Sequence, residues 1–509
     1  MSAETTAAVE LNRATHPAPA AAARIVHIGL GAFHRAHQAW YTWQANRLGA
    51  EAWGIAAFTG RSAAAATELE AQDGLYTLVN RHAEGDSFDV LDVIVQAHDG
   101  ADLAALCTLL ESPSVGIITL TITEAGYRMD PQAAEPTLNL DDSQVAEDLQ
   151  VLRAAWGGGV FARTAEQLDH LHVNTTAARL LVSLAARRAA DGWPLAVVSC
   201  DNLADNGKVA RAALLGMAAE VDEQLAAWIQ GNVSFVDTSI DRITPRSTVA
   251  DRETVAAATG FMDRSPVVTE PFSSWVLCGN FPAGRPEWER AGAVFVEDLG
   301  PFERRKLWLL NGAHSLMSFA GALRGHHTVA QALADPVVSD WVEQFWDAAA
   351  RHLTEPGLDV PGYRQALRER FANPRIAHNL SQIAMDGTLK LAARAVPVYR
   401  AEQHAGRNGV AALRAIAAWA EQLAAQYEAG IQIVDPAAQQ IGAILGAREA
   451  AAGSQAQTCA LVELIDTQLA ADAHAITTIH ELRAELAAMA PDNVSTVGRQ
   501  RPDSAEGTA

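Results

Sequence analysis

The sequence predicts an α/β fold in two parts, a largely parallel sheet covered by helices followed by a mainly α-helical domain. Apolar runs rich in β-formers alternate with helical stretches at Arg24 to Ile28, Trp53 to Phe58, Val115 to Thr123, Pro194 to Ser199 and Val233 to Ile243. Such alternation favours parallel strands joined by helical crossovers. From Phe302 onward the texture becomes long helical periodicity rich in Ala and Leu, broken at Asp335-Pro336, Glu355-Pro356-Gly357, Asn373-Pro374 and Asp435-Pro436. The division therefore falls near residue 300. It gives a flexible lead over 1–23, a first domain over 24–299, a helical domain over 300–491 and a polar tail over 492–509.

The first strand runs directly into Gly29-Leu30-Gly31-Ala32-Phe33-His34-Arg35, after which a helix begins. Gly29 permits a tight turn and Gly31 lets a pyrophosphate approach the backbone, while the helix start offers unpaired N–H groups and its positive end. This makes the first domain Rossmann-type and dinucleotide-binding. Phe33, His34 and Arg35 join the two glycines as candidate cofactor contacts, although His34 stands where the usual fingerprint has its third glycine. An ordinary glycine-rich strand-to-helix turn, followed by a basic and solvated first turn, is the competing reading.

Composition narrows the partners. The chain has 509 residues, 49% of them hydrophobic, enough for two domains with sizeable cores, and a net charge of −22 that repels nucleic acid. Any anionic substrate must then meet a local cationic pocket. Cys107, Cys200, Cys278 and Cys459 have neither disulfide-framework nor zinc-site spacing, which predicts reduced thiols in a cytoplasmic protein. The start lacks a signal-peptide pattern, and no span is apolar enough for a bilayer. With no heptad seam, a monomer or weak homo-oligomer is expected.

In the second part, Lys306-Leu307-Trp308-Leu309-Leu310-Asn311-Gly312-Ala313-His314 places an ammonium, a carboxamide and an imidazole along one apolar helical run. At about 100° per residue, Asn311 lies about 140° and His314 about 80° from Lys306, so all three fall within half the circumference. A lysine there can exchange a proton with a hydroxyl, an amide can hold the oxygen that changes charge, and an imidazole can orient the rest of the molecule. That outlines an alcohol dehydrogenase needing no metal. Singly, each residue has a duller reading: Arg304-Arg305-Lys306 as a solvated basic face, Asn311-Gly312 as a turn, His314 as a hydrogen-bonded core histidine. Glu303, one turn before Lys306, is either a proton relay or a helix-start carboxylate.

Together these residues resemble the polyol-specific long-chain dehydrogenases, the family containing mannitol 2-dehydrogenase and fructuronate reductase. The carriers are Gly29 to Gln38, Leu120-Thr121-Ile122-Thr123-Glu124, Ser199-Cys200-Asp201-Asn202-Leu203, Asp241-Arg242-Ile243-Thr244-Pro245, Glu270-Pro271-Phe272 and Lys306 to His314. The resemblance covers nearly the whole chain and implies a Rossmann-type domain followed by a helical one. It also implies that Lys306 is the catalytic lysine, that Asn202 and Asn311 bind the reacting oxygen, and that His314 orients the substrate. A free lysine has a pKa of about 10.4, so burial and a nearby nicotinium charge would have to lower it for work near neutrality. Read alone, Asn202 could equally cap the next helix, and Asp241 could pair with Arg242 rather than touch substrate.

The resemblance implies NAD, yet Thr59-Gly60-Arg61-Ser62 follows the second strand where an NAD-selective enzyme usually offers an acid, so NADP held by Arg61 is the alternative. For the substrate, Gln382, Lys390 and Arg394 look more like the fructuronate reductases than the mannitol dehydrogenases, which carry arginine at the first position. Ala392 departs from the proline of the hexuronate enzymes. Lys390 and Arg394 are one helical turn apart, a cationic pair suited to a sugar-acid carboxylate, or else an exposed basic stripe. The expected reaction is NAD(P)-dependent interconversion of a ketohexuronate and a hexonate, D-fructuronate and D-mannonate. A polyol dehydrogenase acting on mannitol or arabinitol is the rival, and a non-catalytic dinucleotide-binding protein comes third.

Overall fold

Each strand of the first unit buries alternate residues on opposite faces of one sheet, and that alternation is what brings the strand ends together. In the computed structural model, which describes residues 8–60, 62–156, 168, 170–376, 378–447 and 454–489, the main sheet has eight strands: β1 (Ala23–Ile28), β2 (Gly54–Phe58), β3 (Ile94–His98), β4 (Ile117–Leu120), β5 (Leu195–Ser199), β6 (Val233–Asp241), β7 (Ser274–Cys278) and β8 (Val294–Val296). Their order across the sheet is β8-β7-β6-β5-β4-β1-β2-β3. The strands β3-β2-β1-β4-β5-β6 are parallel, in the order of a dinucleotide-binding domain, and β7 adds antiparallel to β6. Val26, Ile118 and Val197 pack into one core with Leu106, Leu181 and Leu214. Ile25, Ile117 and Val198 pack into the other with Tyr41, Trp275 and Trp288. Both faces are thus covered, which explains why the sequence showed continuous apolar runs at these strands.

The expected strands sit where the runs are, trimmed at their ends. A small sheet of Tyr76–Arg81, Asp86–Leu91 and Val267–Thr269 was absent from the sequence reading. The flexible lead needs correction within its described part: Val9–Glu10 pairs with Phe261–Met262 and Leu11 is fully buried. Arg13 ties the same segment down through the Asp73 carbonyl and the Ala18 carbonyl. The expected tail over 492–509 lies outside the described residues.

Helices of the first unit used below are α1 (Ala32–Ala36), α2 (Gln38–Leu48) and α3 (Asn206–Val221). A second compact unit begins at Gly300, the first ending at Leu299. The second is helical: α4 (Gly300–Arg305), a widened segment Lys306–Gly312, α5 (Ala313–Leu323), α6 (Pro336–Ala350), α7 (Gly387–Arg394) and α8 (Val410–Glu428). The break at Asp335-Pro336 acts as a start signal, while Asn373-Pro374 ends a helix. Asp335 caps α6 by accepting from the Val337 N–H at 2.9 Å, with Pro336 at the first helical position where its missing N–H costs nothing. Fully buried Trp419 and its alanine-rich neighbours on α8 form the middle of this unit, with α5 and Ala473–Met489 packed around them. No helix among the described residues is long and apolar enough to cross a membrane, and all four cysteines are free thiols.

Candidate active site

The loop after β1 is shaped by close backbone packing. Gly29 has a φ of 109°, and a Cβ there would lie 1.9 Å from the Thr121 carbonyl oxygen, so only glycine fits. Thr121 follows β4, which puts this contact at the switch point between β1 and β4, where sheets of this order bind their ligands. Gly29 and Leu30 donate their N–H groups to the Phe58 carbonyl at 2.9 and 2.8 Å, locking the turn. Gly31 caps α1 with no side-chain hydrogen bond, and a Cβ there would meet only the Gly29 carbonyl at 3.6 Å. The start of α1 therefore offers backbone N–H groups without a competing side chain, a fit for a pyrophosphate.

Two of the expected cofactor contacts are corrected. His34 is completely buried and stacks on His27 of β1 with ring centroids 3.3 Å apart. Close strand-to-helix packing, which a third glycine usually allows, is here made by two flat rings; burial keeps both imidazoles neutral, well below their ordinary pKa. Arg35 also points into the protein, its Nη1 donating to the Ser265 carbonyl and hydroxyl at 2.5 and 3.0 Å. Phe33 stays half-buried at the loop, stacked on His37. Arg61 lies outside the described residues.

Asn202 is exposed just beyond β5 and is not a helix cap, since the N-cap of α3 is Asp205. The buried residue beside it does the holding. Asp201 accepts the Ile122 N–H at 2.6 Å and the Tyr127 hydroxyl, which also lies 3.0 Å from Ser199 Oγ. This joins the chain after β4 to the chain after β5. Burial lifts the Asp201 carboxyl from 3.8 to about 7, against the lowering effect of the two hydrogen bonds. Asp241 is half-buried at the end of β6, and the donors of the following Arg242 go to the Glu270 carbonyl, the Ala36 carbonyl and Asn80 Oδ1.

In the second unit, Lys306–Gly312 is a π-helix rather than an α-helix. This corrects the wheel used on the sequence: in an α-helix residues five apart point about 140° apart, whereas hydrogen bonds spanning i to i+5 stack them one turn apart. Lys306 and Asn311 are such a pair, and both are half-buried. Asn311-Gly312 is therefore no turn. In the basic triplet, Arg304 pairs with Glu355 at 2.5 Å with its side chain still 40% exposed, and Arg305 donates to the Leu358 carbonyl while covering the Tyr363 ring. Half-buried Glu303 lies in α4, one turn before Lys306.

His314 opens α5 and is 7% exposed, with Phe371 and His378 rings 4.7 and 4.8 Å away. Burial first, then the charges of His378, Arg370 and Arg394, hold its pKa well below the usual value, so the ring is neutral. Its buried Nε2 has no hydrogen-bond partner, which suits a group waiting for a substrate hydroxyl. On α7, the Lys390 ammonium donates to the Ile383 carbonyl at 3.1 Å, and Arg394 Nη1 donates to the Asn311 carbonyl at 3.2 Å and Ser315 Oγ at 3.0 Å. Arg394 thus touches the backbone of the Lys306 segment itself. Burial lowers both cations, Arg394 to about 10. Exposed Gln382 borders a cavity of about 630 Å³ in this unit, alongside His326, His327 and Gln426.

The sequence reading missed Asp201 with Tyr127, the rings around His314, and Trp346, whose indole N–H donates to the Leu309 carbonyl at 2.7 Å. A buried aspartate next to a motif asparagine was the available signal for the first. Nothing local marked the others.

Known proteins carry the same pieces in the same order. Residues 23–290 match the family model of the mannitol dehydrogenase Rossmann domain, and residues 298–486 that of the mannitol dehydrogenase C-terminal domain. D-mannonate oxidoreductase of Escherichia coli strain K12 is 34% identical over 427 residues, covering 81% of this chain and 83% of the relative. D-arabinitol 4-dehydrogenase of Ralstonia nicotianae is 36% identical over 375 residues, covering 72% and 76%. The structure of Pseudomonas fluorescens mannitol 2-dehydrogenase in ternary complex with NAD and D-mannitol superposes with a TM-score of 0.69 at 31% identity, covering 94% of this chain and 97% of that one. With both family models matched along its length, and a lysine and asparagine on a widened turn followed by a histidine on the next helix, the chain belongs to the mannitol dehydrogenase family of oxidoreductases.

Proposed function

We propose that the protein interconverts a ketohexuronate and its hexonate, D-fructuronate and D-mannonate, with NAD as the coenzyme. One observation carries the choice of a sugar acid. Lys390 and Arg394 are half-buried one turn apart on α7, and among the described residues neither is ion-paired with a carboxylate, in a chain of net charge −22. Asp386 and Asp435 offset only part of the charge at Lys390, and Arg394 feels no carboxylate, so this partly desolvated cationic pair favours an anionic ligand. The similarity to D-mannonate oxidoreductase supports the same reading.

When bound, the nicotinamide accepts or supplies the hydride at the carbinol carbon. In oxidation, neutral Lys306 takes the hydroxyl proton, and in reduction the ammonium returns it. Asn311, stacked on Lys306 by the π-turn, donates an amide N–H to the oxygen as its charge develops, and we assign Asn202 the second such donor. Neutral His314 accepts from a neighbouring substrate hydroxyl through Nε2. We assign the carboxylate to Lys390 and Arg394, a sugar hydroxyl to Gln382, substrate contact to Asp241 and proton exchange with water to Glu303. Gly29, Gly31 and Phe33 line the coenzyme.

The test follows NADH and NADPH absorbance with D-fructuronate and D-fructose offered separately. Rapid oxidation with fructuronate alone is the expected result; preference for D-fructose moves the assignment to a polyol dehydrogenase, and preference for NADPH gives the coenzyme selection to Arg61. Lys306→Ala should abolish turnover with NADH binding retained, and unchanged turnover sinks the proton-transfer role.

A further inference from the structure

A π-helical turn inside a long helical run is sparsely populated, because it widens the backbone and displaces hydrogen bonds, and it needs an outside cause. The displaced bonds are visible at the end of the Lys306–Gly312 segment. Where the widened turn closes, Ala313 donates its N–H three residues back to the Leu310 carbonyl, whereas a regular α-helix would send it four back to Leu309. The Leu309 carbonyl instead receives the indole Nε1–H of Trp346 at 2.7 Å. Trp346 lies on α6 and is completely buried, so no water can take its place. Its neighbour Phe345, also completely buried, sets the distance between the two helices: a Cβ on Gly312 would come within 2.5 and 2.7 Å of its ring carbons. Gly312 thus lets α6 approach closely enough for the indole to reach the carbonyl. The Arg394 guanidinium holds the Asn311 carbonyl of the same segment.

We infer that Trp346, brought close by the packing of Phe345 on Gly312, holds Lys306–Gly312 in its π-helical form and is a positioning residue for Lys306 and Asn311. This rests on the reading of Lys306 as the proton-transfer group. Without the indole donor, the Leu309 carbonyl regains its α-helical partner, the turn tightens, and Lys306 and Asn311 separate to different faces of the helix. Neither Trp346 nor Phe345 touches the substrate in this scheme, so the loss falls on the chemical step rather than on binding.

The experiment uses the full chain in three variants, Trp346→Phe, Gly312→Ala and Gly312→Ala with Phe345→Leu, beside Lys306→Ala. Trp346→Phe and Gly312→Ala should each lower kcat by about 10- to 100-fold, the size expected for a reacting group displaced by about 1 Å. The sugar-acid KM and the NADH dissociation constant should stay within about twofold, a split that general loosening would not produce. Removing the end of the Phe345 ring makes room for the added methyl group, so the double variant should recover most of the rate. Folded Trp346→Phe with kcat within about twofold of wild type overturns the inference. If that variant does not fold, the glycine pair decides: a slow single variant and a recovered double variant support it, and equal rates overturn it. Turnover surviving Lys306→Ala would overturn the underlying reading, whereas a dead Lys306→Ala beside wild-type rates for Trp346→Phe and Gly312→Ala refutes only the positioning role.

Discussion

Replacing Asp201 with Asn should remove a loss of stability as pH rises from 3.8 to about 7, and the size follows from where the carboxyl sits. Asp201 is 5% exposed and accepts two hydrogen bonds, from the Ile122 N–H and the Tyr127 hydroxyl. Burial outweighs those bonds and raises its pKa from 3.8 to about 7. Between those values the native state keeps a proton that the unfolded chain has lost, so stability falls as pH rises through the window and levels off above it. A difference of about three pH units, at about 1.4 kcal/mol each, amounts to about 4 kcal/mol lost on reaching the upper end. Asparagine keeps the shape and the acceptor for Ile122 but cannot ionise, while the Tyr127 hydroxyl keeps Ser199 Oγ at 3.0 Å. Urea unfolding of both proteins from about pH 5 to about pH 8 should show the variant gaining about 3 kcal/mol on wild type. A stability difference that stays constant across that range refutes the reasoning, because it would mean that Asp201 ionises alike in both states.

Three further outcomes are expected. Gly29→Ala forces a positive φ on a side chain aimed at the Thr121 carbonyl 1.9 Å away; it should cost about 1–3 kcal/mol of stability and weaken NADH binding at least about tenfold, measured by calorimetric melting and titration. Lys390→Met should raise the KM for D-fructuronate by about tenfold or more and leave that for D-fructose nearly unchanged, the loss of one hydrogen bond to a charged group; equal effects on both sugars would remove Lys390 from carboxylate recognition. Burial alone would raise the pKa of Glu402, but hydrogen bonds from Arg351, Arg407 and His352 bring it from 4.5 down to about 2, so its stabilisation is full above pH 4.5 and is lost as pH falls through about 2. Glu402→Gln should therefore cost about 2 kcal/mol at neutral pH, since its arginine partners are partly exposed, and melting curves of variant and wild type should converge in acid.

The sequence by itself determined the two-part architecture, the loop after the first strand and the run that carries the proposed reacting groups. Those features are local. Strand alternation, Gly29 and Gly31 after Ile28, and the order of Lys306, Asn311 and His314 each sit within a short window, where side-chain periodicity and backbone freedom act directly. Only the tertiary structure decided which neighbours those residues have. His34 and Arg35 read as cofactor contacts because they follow the glycine loop, with a solvated basic first turn as the competing reading, yet His27 and Ser265, the latter 230 residues from Arg35, draw them inward. The faces of Lys306 and Asn311 depend on a widened turn whose hydrogen bonds are completed by Trp346, 37 residues beyond Leu309, and by Arg394, 83 residues beyond Asn311. A helical wheel assumes one repeat per residue, and that repeat holds only while each carbonyl finds its donor within its own helix. At this segment the donors come from two other helices, so no reading of the segment alone could have found it.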